Sequence, residues 1–337
     1  MIKKLGFWLL SVCLFLASVQ PATAAWPQSG GLIVDHTTVG QFDTIPSSYI
    51  NQAKSLFYGV YFHTSHGSQI FTGMDMLMSD NSLYDYFNDY YHYRFGTSNP
   101  IAPSGTLSLW NWDGTDLGNP SMTAWVNTTR TMLNNSNGDY QIYPHLRNLV
   151  MWSWCGQVST ATYDNIANDY LANMNQLETE FPNVAFVYMT GHLDGSGPTG
   201  NLYQRNQQIR DYCIANNKVL FDFADIESWD PAGNYYPNES DTCQWCSTWC
   251  SSHSCPSCSS CAHSHCFNCY QKGKAFWWMM ARLAGWNSSG DPIPTPTPNP
   301  ISQVLTLLAN WLSNYSPLDF VADSKINGLD FSWLLSN

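Results

Sequence analysis

The chain is poor in charged residues, and poorest in positive charge. Only 11% of its 337 residues are charged, against about 25% in an ordinary globular protein, and 13 Lys+Arg stand against 25 Asp+Glu. The formal net charge of −12 leaves no basic patch that would neutralise phosphates. This charge balance argues against nucleic acid and anionic membrane surfaces as partners.

Long apolar runs are missing beyond the amino-terminal region. One apolar run, at residues 5–19, follows Lys3 and Lys4, and residues 22–24 read Ala-Thr-Ala, the small-residue pattern of a signal-peptidase site. The run is shorter than the ~20 apolar residues that a membrane-spanning helix needs. We therefore predict a signal peptide over residues 1–24 and a secreted, extracellular protein that has no membrane partner.

Apolar and aromatic side chains, in contrast, are plentiful. Apolar residues make up 44% of the chain and aromatic residues 15%, which is enough for a large buried core. Composition divides the chain beyond the signal peptide into three zones: a globular region at 25–290, a Pro/Thr-rich stretch at 291–300 and a short tail at 301–337. The pattern predicts one large domain, a stiff linker and a small helical module.

The cysteines are concentrated in one segment. Cys13 belongs to the predicted signal peptide, and eight of the other ten cysteines lie within residues 243–269, among His253, His263 and His265. Cys-x-x-Cys pairs near histidines have the spacing of a zinc site, whereas thiols outside the cell oxidise to disulfides. We favour disulfides in this Cys-rich loop, with Cys155–Cys213 as a candidate fifth bridge.

Strand-like and helical patterns alternate through the large domain. Apolar runs at 56–62, 149–154, 184–189 and 219–223 alternate with helical patterns that follow residue 67 and cover 163–180, 202–216 and 274–283. This alternation predicts an α/β fold with a parallel sheet covered by helices on both faces. In such a fold the functional side chains gather at the carboxyl ends of the strands.

Two of the predicted strands end in residues suited to acyl-transfer chemistry. Ser65 follows the first strand on a short turn before a helix, where its hydroxyl would lie beside helix N–H groups that can stabilise an oxyanion. Gln157, after the second strand, offers an amide donor. A plain helix N-cap is the competing interpretation of Ser65.

The order of these residues resembles the SGNH (GDSL-like) hydrolases over residues 54–286. The nucleophile position of that family falls on Ser65, and the position of its oxyanion-hole asparagine falls on Gln157. The oxyanion-hole glycine falls on Gly118 within Leu-Gly-Asn-Pro, with Gly114 as the alternative. The resemblance implies a three-layer α/β/α, flavodoxin-like fold and a serine esterase that uses no cofactor. It also implies that His263 or His265, ahead of the last helix, is the general base.

One departure from the family pattern bears on the third catalytic residue. The family has Asp-x-x-His before its last helix, but Ser260 and Ala262 occupy the acid positions here. The acid is therefore expected elsewhere, at Asp225 or Asp222 at a strand end, with Asp241 as a further candidate. The same departure supports an alternative, a non-catalytic carbohydrate-binding module on this fold, and a zinc hydrolase built on the Cys/His segment ranks third.

The tail resembles half of a dockerin module. Its loop carries oxygen ligands at four of the expected positions, but Val321 and Ser324 occupy positions 3 and 6, so we expect calcium binding to be weak or absent. The oxygen ligands are Asp319, Asp323, Asn327 and Asp330. A small helical hairpin without metal is the alternative. The resemblance implies a cohesin-like protein partner and, together with the Pro/Thr linker, an acyl group on a carbohydrate as substrate.

Overall fold

The computed structural model describes residues 31–88, 103–134 and 147–287. Contacts divide the chain into two compact units, Met1–Gly285 and Trp286–Asn337. The predicted signal peptide, the linker and the dockerin-like tail with its calcium ligands all lie outside the described residues. No helix in the described ranges is both long and apolar enough to cross a membrane.

The centre of the first unit is one seven-stranded sheet in which every pairing is parallel. The strands are β1 Leu32–Val34, β2 Tyr58–His63, β3 Tyr86–Phe87, β4 Leu107–Asp113, β5 Leu149–Trp152, β6 Ala185–Met189 and β7 Val219–Phe221. Their spatial order is β1-β7-β6-β5-β2-β4-β3. The central strands are apolar because helices cover both faces, and all of β5, β6 and β7 is buried.

The helices form two packed groups. They are α1 His36–Val39, α2 Ser47–Leu56, α3 Ser68–Asp80, α4 Ala124–Asn134, α5 Ala172–Glu180, α6 Asn201–Ala215, α7 Phe223–Ser228, α8 Gln244–Cys250 and α9 Cys266–Leu283. In the first group, α9 contacts α1, α2, α3 and α7. In the second group, α4 contacts α5, and α6 contacts β6 and β7. A π-helical segment, Asn165–Leu171, leads into α5.

These elements confirm the predicted α/β class and parallel sheet, and they are consistent with three layers. Strands β4, β2, β5, β6 and β7 lie side by side in the order 2-1-3-4-5 of doubly wound sheets. The chain runs from β2 outward to β4 and then returns to β5 on the other side of β2. The carboxyl end of β2 is therefore at the point where the winding reverses, the position at which such sheets bind ligands.

Helices α3 and α9 cross in close contact, and glycine makes the crossing possible. A Cβ atom on Gly73 would lie 1.9 Å from the carbonyl oxygen of Cys269 and 2.7 Å from the nitrogen of Gly273. Since real Cβ atoms do not approach backbone this closely, neither helix tolerates a side chain there. The crossing holds the start of α9 against the helix that follows the Ser65 turn.

The eight cysteines of the Cys-rich loop form four disulfides, which confirms the disulfide prediction. The pairs are Cys243–Cys246, Cys250–Cys255, Cys258–Cys266 and Cys261–Cys269. Disulfides on this scale indicate that the protein matures in an oxidising environment.

The predicted fifth bridge, Cys155–Cys213, is wrong. Both cysteines are free thiols. Cys155 follows β5 at the carboxyl edge of the sheet, whereas Cys213 lies near the end of α6, which leads into the amino end of β7. The two cysteines therefore lie at opposite edges of the sheet.

Candidate active site

Ser65 lies on the four-residue turn between β2 and α3, and glycine shapes that turn. A Cβ atom on Gly67 would lie 2.2 Å from Cβ of His63 and 2.4 Å from Oγ of Ser153, so no other residue fits. His63 is buried and joins the turn to β4 through Asn111 Oδ1, 2.6 Å from its Nε2. The turn is therefore clamped between the neighbouring strands.

The turn that carries Ser65 has backbone N–H groups without acceptors in the part of the chain that the structure describes. Among the described residues, the N–H groups of Ser65, His66 and Gly67 have no hydrogen-bond acceptor. They precede the first turn of α3, where the helix dipole adds positive potential. The turn therefore has the donors that an oxyanion requires.

The structure brings Ser65 and His263 together. Nε2 of His263 lies 2.9 Å from Oγ of Ser65, although the two residues are 198 positions apart in the chain. His263 is exposed and has a positive φ of 59°. A hydroxyl and an imidazole at this distance form the nucleophile–base pair of acyl-transfer enzymes.

The segment that carries His263 is held at several points. Two disulfides, Cys258–Cys266 and Cys261–Cys269, bracket it. In addition, Nε2 of Gln69, in the first turn of α3, donates to the carbonyl of Ala262 over 2.6 Å. Helix α3, which follows Ser65, therefore positions the backbone next to His263.

A buried ion pair supports this tether. The side chains of Lys272 and Glu227 are completely buried and lie 2.6 Å apart. Lys272 also donates to Oε1 of Gln69, and Glu227 accepts the N–H of Leu193 over 2.8 Å. Burial lowers the pKa of Lys272, and Glu227 opposes that shift. The pair connects α3, α7 and α9 with the loop that follows β6.

The preferred acids, Asp225 and Asp222, do not contact His263. Oδ1 of Asp225 instead bonds to Nδ1 of His36 over 2.5 Å and to the N–H of the same residue over 2.9 Å. Asp222 accepts two bonds from Arg210, over 2.6 and 2.8 Å. Both lie beyond the end of β7, which is separated from β2 by β6 and β5. The hypothesis that Asp225 orients the base therefore has no hydrogen bond to support it in the described residues.

His265, the alternative base, has a different position. Its Nδ1 accepts the N–H of Phe267 over 3.1 Å, so His265 is the N-cap of α9. Of the two histidines proposed as base, His263 is the one that reaches Ser65.

His66 lies at the centre of a cluster of side chains from three segments. It is 6% exposed, and its ring is stacked between those of His192 and His263, with centroids 3.6 and 4.6 Å away. Its Nε2 lies 3.0 Å from Oδ2 of Asp241, and its Nδ1 lies 3.5 Å from Sγ of Cys155. Burial and the neighbouring His192 lower the pKa of His66 to about 4, against the opposing effect of Asp241.

Three of these side chains have ligand atoms close enough to suggest a metal site. The ligand atoms of His66, His192 and Asp241 lie within 4.8 Å of one another. The two imidazoles, however, are parallel to within 2° and stacked at 3.6 Å. Because an imidazole lone pair lies in the ring plane, no single ion can lie in both planes. The arrangement is therefore that of stacked rings.

The two predicted oxyanion-hole residues lie against each other. A Cβ atom on Gly118, whose φ is 94°, would lie 2.7 Å from Cγ of Gln157. Gln157 donates from Nε2 to Asp116 over 3.0 Å, and Asp116 accepts from Thr64, next to Ser65, over 2.8 Å. Burial raises the pKa of Asp116. Gly118 and Gln157 are thus linked to the Ser65 turn through one carboxylate.

A cavity of about 320 Å³ opens beside the loop that carries His192. Tyr203, Trp229 and Tyr235 contribute aromatic rings to its lining, and Arg210 and Asp225 contribute charges. Oδ2 of Asp225 accepts no hydrogen bond from the described residues, since His36 uses Oδ1 alone. Aromatic rings beside a free carboxylate oxygen suit a neutral, hydroxyl-rich ligand.

Sequence signals for the other members of the site were weaker. His66 and His192 had no assigned role, and Cys155 was assigned only to the candidate disulfide with Cys213. Each follows a predicted strand, so its position at the carboxyl edge was the available signal. Asp241 was the least preferred acid, and it lies 175 residues from the histidine that it contacts. No protein-family model, curated protein or solved structure matches this chain.

Proposed function

We propose that this protein is a secreted serine esterase of the SGNH type. The observation that carries the proposal is the 2.9 Å contact between Oγ of Ser65 and Nε2 of His263, on a strand-to-helix turn whose N–H groups have no acceptor among the described residues. The strand order, which is that of doubly wound sheets, supports the family assignment.

In the proposed mechanism, Ser65 attacks the carbonyl carbon of an ester while His263 accepts the hydroxyl proton. The oxyanion of the tetrahedral intermediate is stabilised by the N–H groups of residues 65–67, with Gly118 and Gln157 as further donors. His263 then returns the proton to the leaving alcohol, and water hydrolyses the acyl-enzyme by the same steps.

No carboxylate bonds to His263 among the described residues, so another group has to orient its ring. The stacked ring of His66, itself bonded to Asp241, lies against His263 and limits its rotation. A serine–histidine pair retains activity without a direct acid, because the acid chiefly orients the imidazole and stabilises its cation.

We propose an acyl group on a carbohydrate as the substrate. The cavity lined by Tyr203, Trp229 and Tyr235 supports this choice, since it lies beside the His192 loop and suits a sugar ring. The dockerin-like tail and its cohesin-like partner remain part of the proposal, although they lie outside the described residues.

The decisive experiment is covalent labelling with a fluorophosphonate, followed by peptide mapping. We expect one adduct, on Ser65, in the wild type. The Ser65→Ala variant should lose the adduct and at least ~10³-fold of its activity on acetyl esters. His263→Ala should fall to a similar level, and the double variant should be no worse, because members of one catalytic unit are not additive.

A matched control is available on the same helix. Ser79 is exposed at the other end of α3, and its hydroxyl donates to the carbonyl of Met76. Ser79→Ala should keep both labelling and turnover. Circular dichroism checks that each variant is folded. If the folded Ser65→Ala variant keeps wild-type turnover, the serine esterase proposal is wrong.

The alternative, a carbohydrate-binding module without catalysis, is favoured by the same cavity and by the absence of a direct acid beside His263 in the described residues. Binding and hydrolysis of the same acylated polysaccharide distinguish the two functions. A binding module would retain a polysaccharide in affinity electrophoresis and hydrolyse none of its esters, whereas an esterase would release the acyl group.

A further inference from the structure

A second nucleophile lies beside the proposed serine site. Cys155 follows β5 at the carboxyl edge of the sheet, and its thiol is half-buried and forms no disulfide. Its Sγ lies 3.5 Å from Nδ1 of His66, whose Nε2 lies 3.0 Å from Oδ2 of Asp241. Thiol, imidazole and carboxylate therefore form one continuous chain of contacts.

The carboxylate determines which nitrogen of His66 carries the proton. An ionised carboxylate only accepts hydrogen bonds, so Asp241 requires the proton to be on Nε2. The lone pair of Nδ1 then faces Sγ of Cys155, and the thiol donates to it. Burial and the neighbouring His192 lower the pKa of His66, so its ring is neutral at pH 7 and Nδ1 can accept the hydrogen bond of the thiol.

The second free cysteine lacks all of these features. Cys213 is fully buried within α6, and burial raises the pKa of its thiol. A buried thiol with a raised pKa is unreactive, because the thiolate is the nucleophile. Cys213 is therefore an internal control for the reactivity of Cys155.

We propose that Cys155, His66 and Asp241 form a second acyl-accepting site, which takes an acyl group from a carboxylic ester or thioester. The S–C bond forms at the carbonyl carbon, and the bond from that carbon to the leaving oxygen or sulfur breaks. The thiol proton passes to Nδ1 of His66 and then to the leaving alkoxide or thiolate. Water attacks the resulting thioester to release the acid and restore the thiol.

This site does not require Ser65. The rings of His66 and His263 stack on each other with centroids 4.6 Å apart, so Cys155 and Ser65 each contact a different member of one pair of imidazoles. The two candidate nucleophiles at this edge of the sheet therefore have separate bases.

Acyl trapping tests the proposal. The folded protein is mixed briefly with p-nitrophenyl acetate, quenched in acid and mapped by mass spectrometry, and neutral hydroxylamine then cleaves a thioester but spares an ordinary serine ester. In Ser65→Ala we expect an acetyl group on the Cys155 peptide that hydroxylamine removes. Cys155→Ala should lose this adduct, and Cys213→Ala should keep it.

The role of the base needs its own variants. His66→Asn should slow acetylation of Cys155 by about 10²-fold, the usual contribution of a general base. Because His66 is buried and its variant can misfold, Asp241→Asn is the second probe and should also slow the reaction, with folding checked by circular dichroism.

The outcomes separate this proposal from the esterase proposal. An adduct on Ser65 alone, with none on Cys155 in either the wild type or Ser65→Ala, would overturn the second site and leave the esterase intact. An adduct on Cys155 alone would support the second site and overturn the assignment of Ser65. Acetylation of Cys155 at the wild-type rate in both folded base variants would also refute the second site.

Discussion

The buried ion pair between Lys272 and Glu227 leads to a large predicted loss of stability. Replacing Lys272 by Met removes the cation and leaves the carboxylate of Glu227, 0% exposed, with the N–H of Leu193 as its remaining described hydrogen-bond donor. Removal of one partner of a buried pair typically costs about 3–5 kcal/mol, because an uncompensated charge stays in the interior. The variant also loses the contact of Nζ with the Phe223 ring, 3.7 Å away.

The measurement is urea unfolding at pH 7, followed by tryptophan fluorescence. Lys272→Met should lower the free energy of unfolding by about 3–5 kcal/mol without changing the m-value. The double variant Lys272→Met, Glu227→Gln should recover much of this loss, since it removes the second charge as well. A single variant that loses less than ~1 kcal/mol, or a double variant as unstable as the sum of the two singles, would refute this reasoning.

Three further predictions follow from burial, packing and thiol chemistry. The pKa of His66 is lowered from 6.5 to about 4, so the unfolded chain binds this proton more readily than the folded protein. The free energy of unfolding should therefore fall by roughly 3 kcal/mol as the pH drops from 6.5 to 4. Urea unfolding of His66→Asn should show a flatter pH dependence. Gly73→Ala should lower the melting temperature strongly, because its Cβ would meet backbone at 1.9 Å, whereas Gly40→Ala, with its nearest contact at 3.7 Å, should leave it nearly unchanged. Ellman's reagent should react with Cys155 in the native protein and with Cys213 only after unfolding, and a native Cys213 signal would contradict its burial.

Strands β5, β6 and β7 were predictable because burial on both faces leaves a continuous apolar run. The runs at 149–154, 184–189 and 219–223 became these strands with small changes at their ends. Strand β4 was not predicted although it lies beside β2, because polar residues interrupt its sequence, Leu-Ser-Leu-Trp-Asn-Trp-Asp. The edge strands β1 and β3 were not predicted either, since runs of three and two residues carry no periodicity. Helix α9 begins eight residues before its predicted start at 274, because its first turns hold cysteines and polar residues instead of an apolar stripe.

The site was predictable where it depends on strand ends and unpredictable where it depends on tertiary packing. Ser65 and His263 were expected because one ends the first core strand and the other precedes the last helix. The pairing of His66 with Asp241 has no local pattern, since it joins residues from distant parts of the chain. Asp225 was preferred for its place at a strand end, but His36, on a short helix that was not predicted, binds it instead.

The disulfides of the Cys-rich loop have a consequence for maturation. Each joins cysteines only three to eight positions apart, so none ties the loop directly to a distant part of the sheet. Short closures of this kind restrict the unfolded chain little, and the sheet should fold in their absence. His263 lies inside the two loops closed by Cys258–Cys266 and Cys261–Cys269, so these disulfides restrict the segment that carries it. On the proposed function, we therefore expect the reduced chain to keep its sheet but to lose most of its ester hydrolysis, which assays with and without a reductant would measure.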